Sequence, residues 1–128
     1  MKIEHVGLYV RDLEGARQFF QDYFQAASNS LYHNPKTGFS SYFLTFASGA
    51  RLEIMTREHD LADAKEDLYQ TGYHHLAFAL GSQEEVDRLT ARLERDGYPV
   101  LSGPRVTGDG YYESLLKAFE NLQIELTV

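Results

Sequence analysis

Two histidines and two glutamates occupy matching places in the two halves of this 128-residue chain. Glu53 follows His5 after 48 residues, and Glu125 follows His75 after 50 residues. Imidazole and carboxylate groups suit Zn, Ni, Co, Mn or Fe(II), and two carboxylates balance the charge of one divalent cation. Four protein ligands leave room for one or two waters when the coordination expands, as a catalytic site requires. We therefore predict a metal site formed by His5, Glu53, His75 and Glu125.

These four residues lie in segments that alternate apolar and polar side chains, as half-buried strands do. Val6 and Leu8 lie on the face opposite His5, and the apolar neighbours of the other three residues alternate in the same way. Because the apolar faces must pack on helices, we expect the four polar side chains on the opposite, concave face of a curved sheet. A buried carboxylate without a partner is costly, so such groups are paired or bind metal. The alternative is a solvated groove whose His–Glu pairs hold no metal.

The remaining histidines are weaker candidates, because a lone histidine is more often a hydrogen-bonded structural residue than a ligand. His74 falls on the helix-facing set of its strand or at the frayed start of that strand, so His75 is the functional candidate of the two. His33 and His59 stand in polar surroundings, and we expect both at the surface.

In the first half of the chain, a strand that contains His5 precedes a predicted helix. Asp12 is expected to cap this helix, in which apolar residues of LEGARQFFQDYF recur at helical spacing. The stretch HNPKTG is expected to be a loop because it contains a proline and a glycine. SYFLTFA and RLEIMT flank a short turn with glycine at residues 48–50, which predicts a β-hairpin.

The second half repeats this order. HHLAFAL is a predicted strand, and Ser82 with Glu85 fits a capping box before a helix that should end at Gly97. Val100 and Leu101 indicate a short strand, SGPRVTGDG a loop, and YYESLLK and LQIELTV two further strands. The shared order predicts an α+β fold made of one βαβββ module used twice, in a single domain over 1–128 with half-repeats of approximately 1–70 and 71–128.

The composition limits the class of function. With 43% hydrophobic and 24% charged residues, the chain can bury a core. A net charge of −7 argues against nucleic acid or an anionic membrane as a partner. The absence of cysteine excludes disulfides, thiolate ligands and a cysteine nucleophile, and it fits a cytoplasmic location. The stretch MKIEHVGLYV matches neither a signal peptide nor a membrane span.

Five stretches together resemble the vicinal oxygen chelate (VOC) superfamily, which includes glyoxalase I, extradiol dioxygenases, fosfomycin and bleomycin resistance proteins and methylmalonyl-CoA epimerase. They are HVGLYVRDLEGARQFF, GARLEIMT, GYHHLAFAL, SGPRVTGDGYYES and QIELTV. The likeness covers essentially the whole chain. It implies paired βαβββ modules that form an open, cupped β-barrel with helices outside, usually in a dimer. The family's metal ligands match His5, Glu53, His75 and Glu125. One departure is the last hairpin turn, where the family's Asp-Pro-x-Gly-Asn is replaced by residues 118–122, AFENL.

The four-ligand set is most similar to that of glyoxalase I. The resemblance implies a metal-dependent isomerase or lyase, such as a lactoylglutathione lyase, which transfers a proton next to a carbonyl through a metal-stabilised enediolate. Glu125 is the expected base and Glu53 the second choice among the glutamates, and a metal-bound water is the alternative to either. The implied cofactor is one divalent ion per site, Zn, Ni, Co or Mn, with Fe less favoured.

The substrate is expected to be a small molecule. Tyr111, Tyr112 and Glu113 follow a glycine-containing loop and are candidate substrate-binding residues, although a turn before an ordinary aromatic strand explains them equally well. Arg51 shares a strand face with Glu53, so it is a candidate for an anionic substrate group or for an ion pair at the rim.

Two other classes of function stay open. An iron-dependent dioxygenase would bind iron and consume oxygen, and a drug-binding protein of the bleomycin-resistance type would need no metal. Open sheet edges favour a homodimer, in which the modules pair within a chain or swap between two chains.

Overall fold

The computed structural model describes residues 1–59, 61–63 and 71–128. The chain divides into two compact units, Met1–Lys65 and Glu66–Val128. The predicted boundary between half-repeats, at residue 70, lies outside the described residues. Within the described residues, no helix is long and apolar enough to cross a membrane.

The first unit packs one helix on a mixed sheet. Its elements are β1 (His5–Tyr9), α1 (Leu13–Phe24), β2 (Ala27–Ser28), β3 (Tyr32–Asn34), β4 (Phe39–Thr45) and β5 (Arg51–Arg57). The strand order is β1-β5-β4-β2, and β3 also pairs with β4. Strand β1 runs parallel to β5, whereas β4 and β5 form the predicted antiparallel hairpin.

The second unit has the same arrangement. Its elements are β6 (Leu76–Ala79), α2 (Gln83–Arg95), β7 (Val100–Val106), β8 (Tyr112–Lys117), a 3₁₀ turn (Phe119–Asn121) and β9 (Gln123–Thr127). The strand order is β6-β9-β8-β7, with β6 parallel to β9 and the other pairs antiparallel. The predicted α+β fold with two βαβββ modules is therefore confirmed.

Both helices begin at the predicted caps. Asp12 accepts a hydrogen bond from the backbone N–H of Gly15 at 2.8 Å, and Ser82 accepts one from Glu85 at 3.2 Å. Each cap satisfies an N–H that has no partner within the helix.

The core lies between each helix and the apolar face of its sheet. In the first unit Leu52 and Ile54 are buried on either side of Glu53, and in the second Ile124 and Leu126 are buried on either side of Glu125. Because successive strand residues point to opposite faces, this burial places both glutamates on the faces turned away from the helices, as predicted.

Two predicted loops contain strands. SGPRV was expected to be a loop, but β7 extends to Val106. It is an edge strand with register shifts, so Pro104, which has no N–H to donate, is accommodated there. In HNPKTG, His33 lies in β3, where it is exposed and hydrogen-bonded to Ser40 at 2.8 Å.

The turn that departs from the family pattern closes without proline or glycine. Glu120 and Asn121 both take the left-handed conformation, with φ of 48° and 64°. The backbone N–H of Ala118 donates to the carbonyl of Leu122 at 2.7 Å, which joins β8 to β9.

Candidate metal centre

The first unit pairs His5 with Glu53. His5 begins β1, Glu53 lies in the middle of β5, and 3.9 Å separates His5 Nε2 from Glu53 Oε2. In the sheet register Glu53 lies between Gly7 and Phe43. Its side chain is only 18% exposed, so its carboxylate is largely removed from water and lies next to the imidazole of His5.

The second unit pairs His75 with Glu125 in the same way. His75 directly precedes β6, Glu125 lies in the middle of β9, and 3.2 Å separates His75 Nε2 from Glu125 Oε2. In register Glu125 lies between Ala77 and Leu115, again a small and a large apolar residue. Its side chain is 17% exposed. The two units thus repeat the pair together with its surroundings.

Both pairs fit the ligand chemistry of a divalent ion. Nitrogen and oxygen ligands about 2.1 Å from one ion lie about 3 to 4 Å from each other, and both separations fall in this range. Imidazole nitrogen and carboxylate oxygen are also the donors that these ions prefer.

The residue that precedes each histidine holds its other ring nitrogen. Nδ1 of His5 hydrogen-bonds to the carboxylate of Glu4, and Nδ1 of His75 lies 2.8 Å from Nδ1 of His74. In both units Nε2 is therefore the ring atom that faces the glutamate. Such outer contacts fix the ring orientation of metal-binding histidines.

Each unit taken alone offers one pair. Across 1–59, 61–63 and 71–128, no group of three or more His, Asp or Glu side chains forms a ready-made metal cluster. The structure brings His5 to Glu53 and His75 to Glu125, and their union in one four-ligand site stays a prediction.

Further polar groups share the sheet face of Glu125. Glu113 lies on β8, two residues before the partner of Glu125 in the register. Burial raises the pKa of Glu113, as do the negative charges of Glu125 and Asp109, against the opposing effect of Arg105 and His75. Glu113 is therefore a poorly solvated carboxyl group beside the second pair.

Gln123 supplies an unused acceptor on the same face. It lies two residues before Glu125 on β9, and its Oε1 is the buried side-chain atom that lacks a hydrogen-bond partner among the described residues. A buried polar atom without a partner is costly, so this position favours a ligand that can donate a hydrogen bond.

Arg51 forms an ion pair with Glu4, which is one of its two predicted roles. Its Nε donates to Glu4 at 2.7 Å, and its guanidinium carbon lies 4.2 Å from the centre of the Phe43 ring. The cation is thus already matched by a carboxylate and an aromatic face.

The contacts of Tyr111 and Tyr112, the two candidate substrate-binding tyrosines, do not include the His–Glu pairs among the described residues. Tyr112 donates its hydroxyl to Asp87 of α2 at 2.6 Å, so this group is used on the helix side of the sheet. Tyr111 is 59% exposed just before β8. Their role in substrate binding stays a prediction.

Glu4 and Gln123 are two further polar residues at the pairs that were not predicted from the sequence. Glu4 adjoins His5, and a carboxylate next to a metal-binding histidine is a recognisable signal. The sequence around Gln123 does not mark it as a functional residue, because only the folded strand shows that its side-chain oxygen is buried without a donor among the described residues.

The sequence profile of the Glyoxalase/Bleomycin resistance protein/Dioxygenase superfamily matches residues 2–125. The chain belongs to this superfamily. An uncharacterised protein of Bacillus subtilis strain 168, YqjT, is 28% identical over 127 residues, which cover 97% of this chain and 96% of YqjT.

Solved VOC proteins have the same fold. A possible glyoxalase from Bacillus cereus is 26% identical with a TM-score of 0.68, and the match covers 100% of this chain and 99% of that protein. The fosfomycin resistance protein FosX of Listeria monocytogenes, solved with Mn(II) and sulfate, is 24% identical with a TM-score of 0.72, over 98% of this chain and 90% of FosX. At this identity FosX informs on the fold alone.

Proposed function

We propose that this VOC protein is a divalent-metal-dependent isomerase or lyase that moves a proton next to the carbonyl group of a small substrate. Two modules that each present a histidine and a largely buried glutamate, 3.9 Å and 3.2 Å apart, carry this proposal. Their carboxylates would balance the charge of one ion. The expected ion is Zn, Ni, Co or Mn, which imidazole and carboxylate ligands suit.

The residues of the two pairs would hold the ion between them. When bound, the ion supplies a Lewis acid that polarises the carbonyl oxygen of the substrate. A glutamate would accept the C–H proton from the hydroxyl-bearing carbon next to the carbonyl and return it to the carbonyl carbon. The isomerisation is complete when the hydroxyl proton has passed to the former carbonyl oxygen, so that one carbonyl group is lost and another is formed.

Glu125 is the preferred base because other polar groups share its sheet face. Among the residues that the structure describes, Gln123 Oε1 has no hydrogen-bond donor, so it is available to a hydroxyl of the substrate. Glu113, the poorly solvated carboxyl group on β8, offers a second polar contact. Beside Glu53, by contrast, stand Phe43 and an Arg51 already bound to Glu4. The base is therefore assigned first to Glu125 and second to Glu53.

The test is deuterium exchange into substrate. Metal-loaded protein would be incubated in D₂O with a panel of 2-hydroxycarbonyl compounds and thiol adducts of 2-oxoaldehydes, and deuterium next to the carbonyl would be followed by proton NMR. We expect exchange with at least one compound, and a loss of about 100-fold or more in Glu125→Gln, because a positioned base contributes about 10² to 10⁴.

Glu58→Gln is the matched control, since Glu58 is exposed and follows β5 outside both pairs. The control should exchange at the wild-type rate. The metal content of each variant would be measured in parallel, so that loss of the base is separated from loss of the ion. Metal-loaded protein that exchanges no compound of the panel, or that consumes oxygen with bound iron, would overturn the proposed reaction.

A further inference from the structure

We infer that Glu4 is a positioning residue that selects the tautomer of His5. Its carboxylate accepts the Nδ1–H of the ring, so that Nε2 keeps a lone pair directed at Glu53 and at any ion held there. The consequence for the ion rests on the proposed function, whereas the tautomer itself does not.

The contacts of Glu4 carry this inference. Its carboxylate hydrogen-bonds to His5 Nδ1 through one oxygen and forms an ion pair with Arg51 through the other. An ionised carboxylate can only accept hydrogen bonds, so in this contact the ring nitrogen must be the donor. A neutral imidazole has one N–H, and therefore Nε2 is left with the lone pair.

Arg51 and Phe43 fix Glu4 from the other side. The backbone N–H of Arg51 donates to the carbonyl of Glu4 at 3.0 Å, and its side-chain Nε donates to the carboxylate at 2.7 Å. The guanidinium carbon lies 4.2 Å from the centre of the Phe43 ring, and the His5 ring meets Phe43 edge-on with 5.4 Å between centres. Glu4 is thus held at both oxygens beside a ring that is itself packed.

The lone pair matters because of what Nε2 faces. If Nε2 carried the proton, it would have no lone pair to offer an ion held beside Glu53, whose Oε2 lies 3.9 Å away. In the second unit the residue before His75 is His74, whose imidazole can donate or accept, whereas the ionised carboxylate of Glu4 can only accept. The two histidines are therefore chemically unequal, and the tautomer of His5 is the one set by a carboxylate.

The test measures the tautomer in metal-free protein. Two-bond ¹H–¹⁵N NMR spectra, which report directly which ring nitrogens carry a proton, would be recorded at about pH 8. We expect the Nδ1–H form of His5 in the wild type, its loss in Glu4→Ala, and its retention in Glu4→Gln, whose amide oxygen still accepts. Glu58→Gln, with the same charge change at an exposed site, should leave the spectrum unchanged. An Nε2–H form in the wild type, or an unchanged tautomer in Glu4→Ala, would overturn the inference.

Metal affinity gives the second readout. Titration with Mn(II) or Zn(II) should show binding about 10- to 100-fold weaker in Glu4→Ala, with most of it restored in Glu4→Gln. If the wild type shows the Nδ1–H form but binds neither ion, the proposed function fails while the positioning role of Glu4 stands. If the wild type binds metal and Glu4→Ala binds it equally well, the positioning role for the ion fails instead.

Discussion

At the scale of single residues, Tyr42 shows how one buried hydroxyl joins helix α1 to the sheet beneath it. Tyr42 lies on β4 with 6% exposure and donates to the carboxylate of Glu14 on α1. Arg17 pairs with the same carboxylate, and its guanidinium carbon lies 5.0 Å from the centre of the Tyr42 ring. The hydrogen bond from Tyr42 lowers the pKa of Glu14, with a further contribution from Arg17 against the opposing effect of burial.

The pH dependence of Tyr42→Phe follows from this contact. A carboxyl group whose pKa is lowered by folding stabilises the protein above its unfolded pKa of about 4.3, and this stabilisation is lost as the pH falls through the folded pKa. We expect Tyr42→Phe to lower the free energy of unfolding by about 1 kcal/mol at pH 7, because it removes the hydrogen bond to Glu14. The loss should be no larger, because the Glu14 carboxylate is partly exposed to solvent. In urea unfolding the difference from wild type should shrink at about pH 3.5.

Tyr32→Phe is the control for that comparison. Tyr32 is exposed on β3. Removing its hydroxyl should therefore change the free energy of unfolding by less than about 0.5 kcal/mol at either pH. A Tyr42→Phe deficit that is the same at both pH values would show that packing, and not the charge of Glu14, accounts for it.

At the scale of elements, the local rules predicted most of the fold. Asp12 and Ser82 mark both helix starts because capping is decided within a few residues. The alternation around Glu53 and Glu125 predicted their faces because one side of each strand must be buried. Strand β7 could not be predicted in the same way, since Gly103 and Pro104 are typical of a loop, and the register shifts that accommodate them in the pairing with β8 are defined only in the folded sheet.

Strand β7 requires a glycine at position 103. The φ of Gly103 is +82°, and a Cβ built there would lie 2.4 Å from the carbonyl oxygen of Glu113. Gly49, in the turn between β4 and β5, has a similar φ of +87°, and no atom of the described residues lies within 4 Å of such a Cβ. We expect Gly103→Ala to cost about 3 kcal/mol in urea unfolding and Gly49→Ala about 1 kcal/mol, since the clash adds to the cost of the left-handed conformation. Equal losses would contradict the close approach of β7 to β8.

At the scale of the whole molecule, the repeat allows only part of the candidate site to be predicted from the sequence. Spacing and alternation predicted that His5 and Glu53, and likewise His75 and Glu125, belong together, and each pair is found within one unit. They could not reveal which side chain holds the far nitrogen of each ring, because Glu4 and His74 act through contacts that only the folded chain defines. That both pairs serve one ion stays a prediction, which only a measurement on the complete chain can test.

Metal content measured by elemental mass spectrometry on tag-free protein tests that claim most directly. After incubation with Zn, Ni, Co or Mn and removal of free ion, we predict about one ion per chain, because the two carboxylates balance one divalent charge. The ion should be lost in His5→Ala and in His75→Ala alike, since each removes a ligand of the same site, and kept in His33→Ala, whose ring bonds Ser40 on β4. A wild type that binds none of the four ions, or two histidine variants that each keep half of the metal, would contradict the shared site.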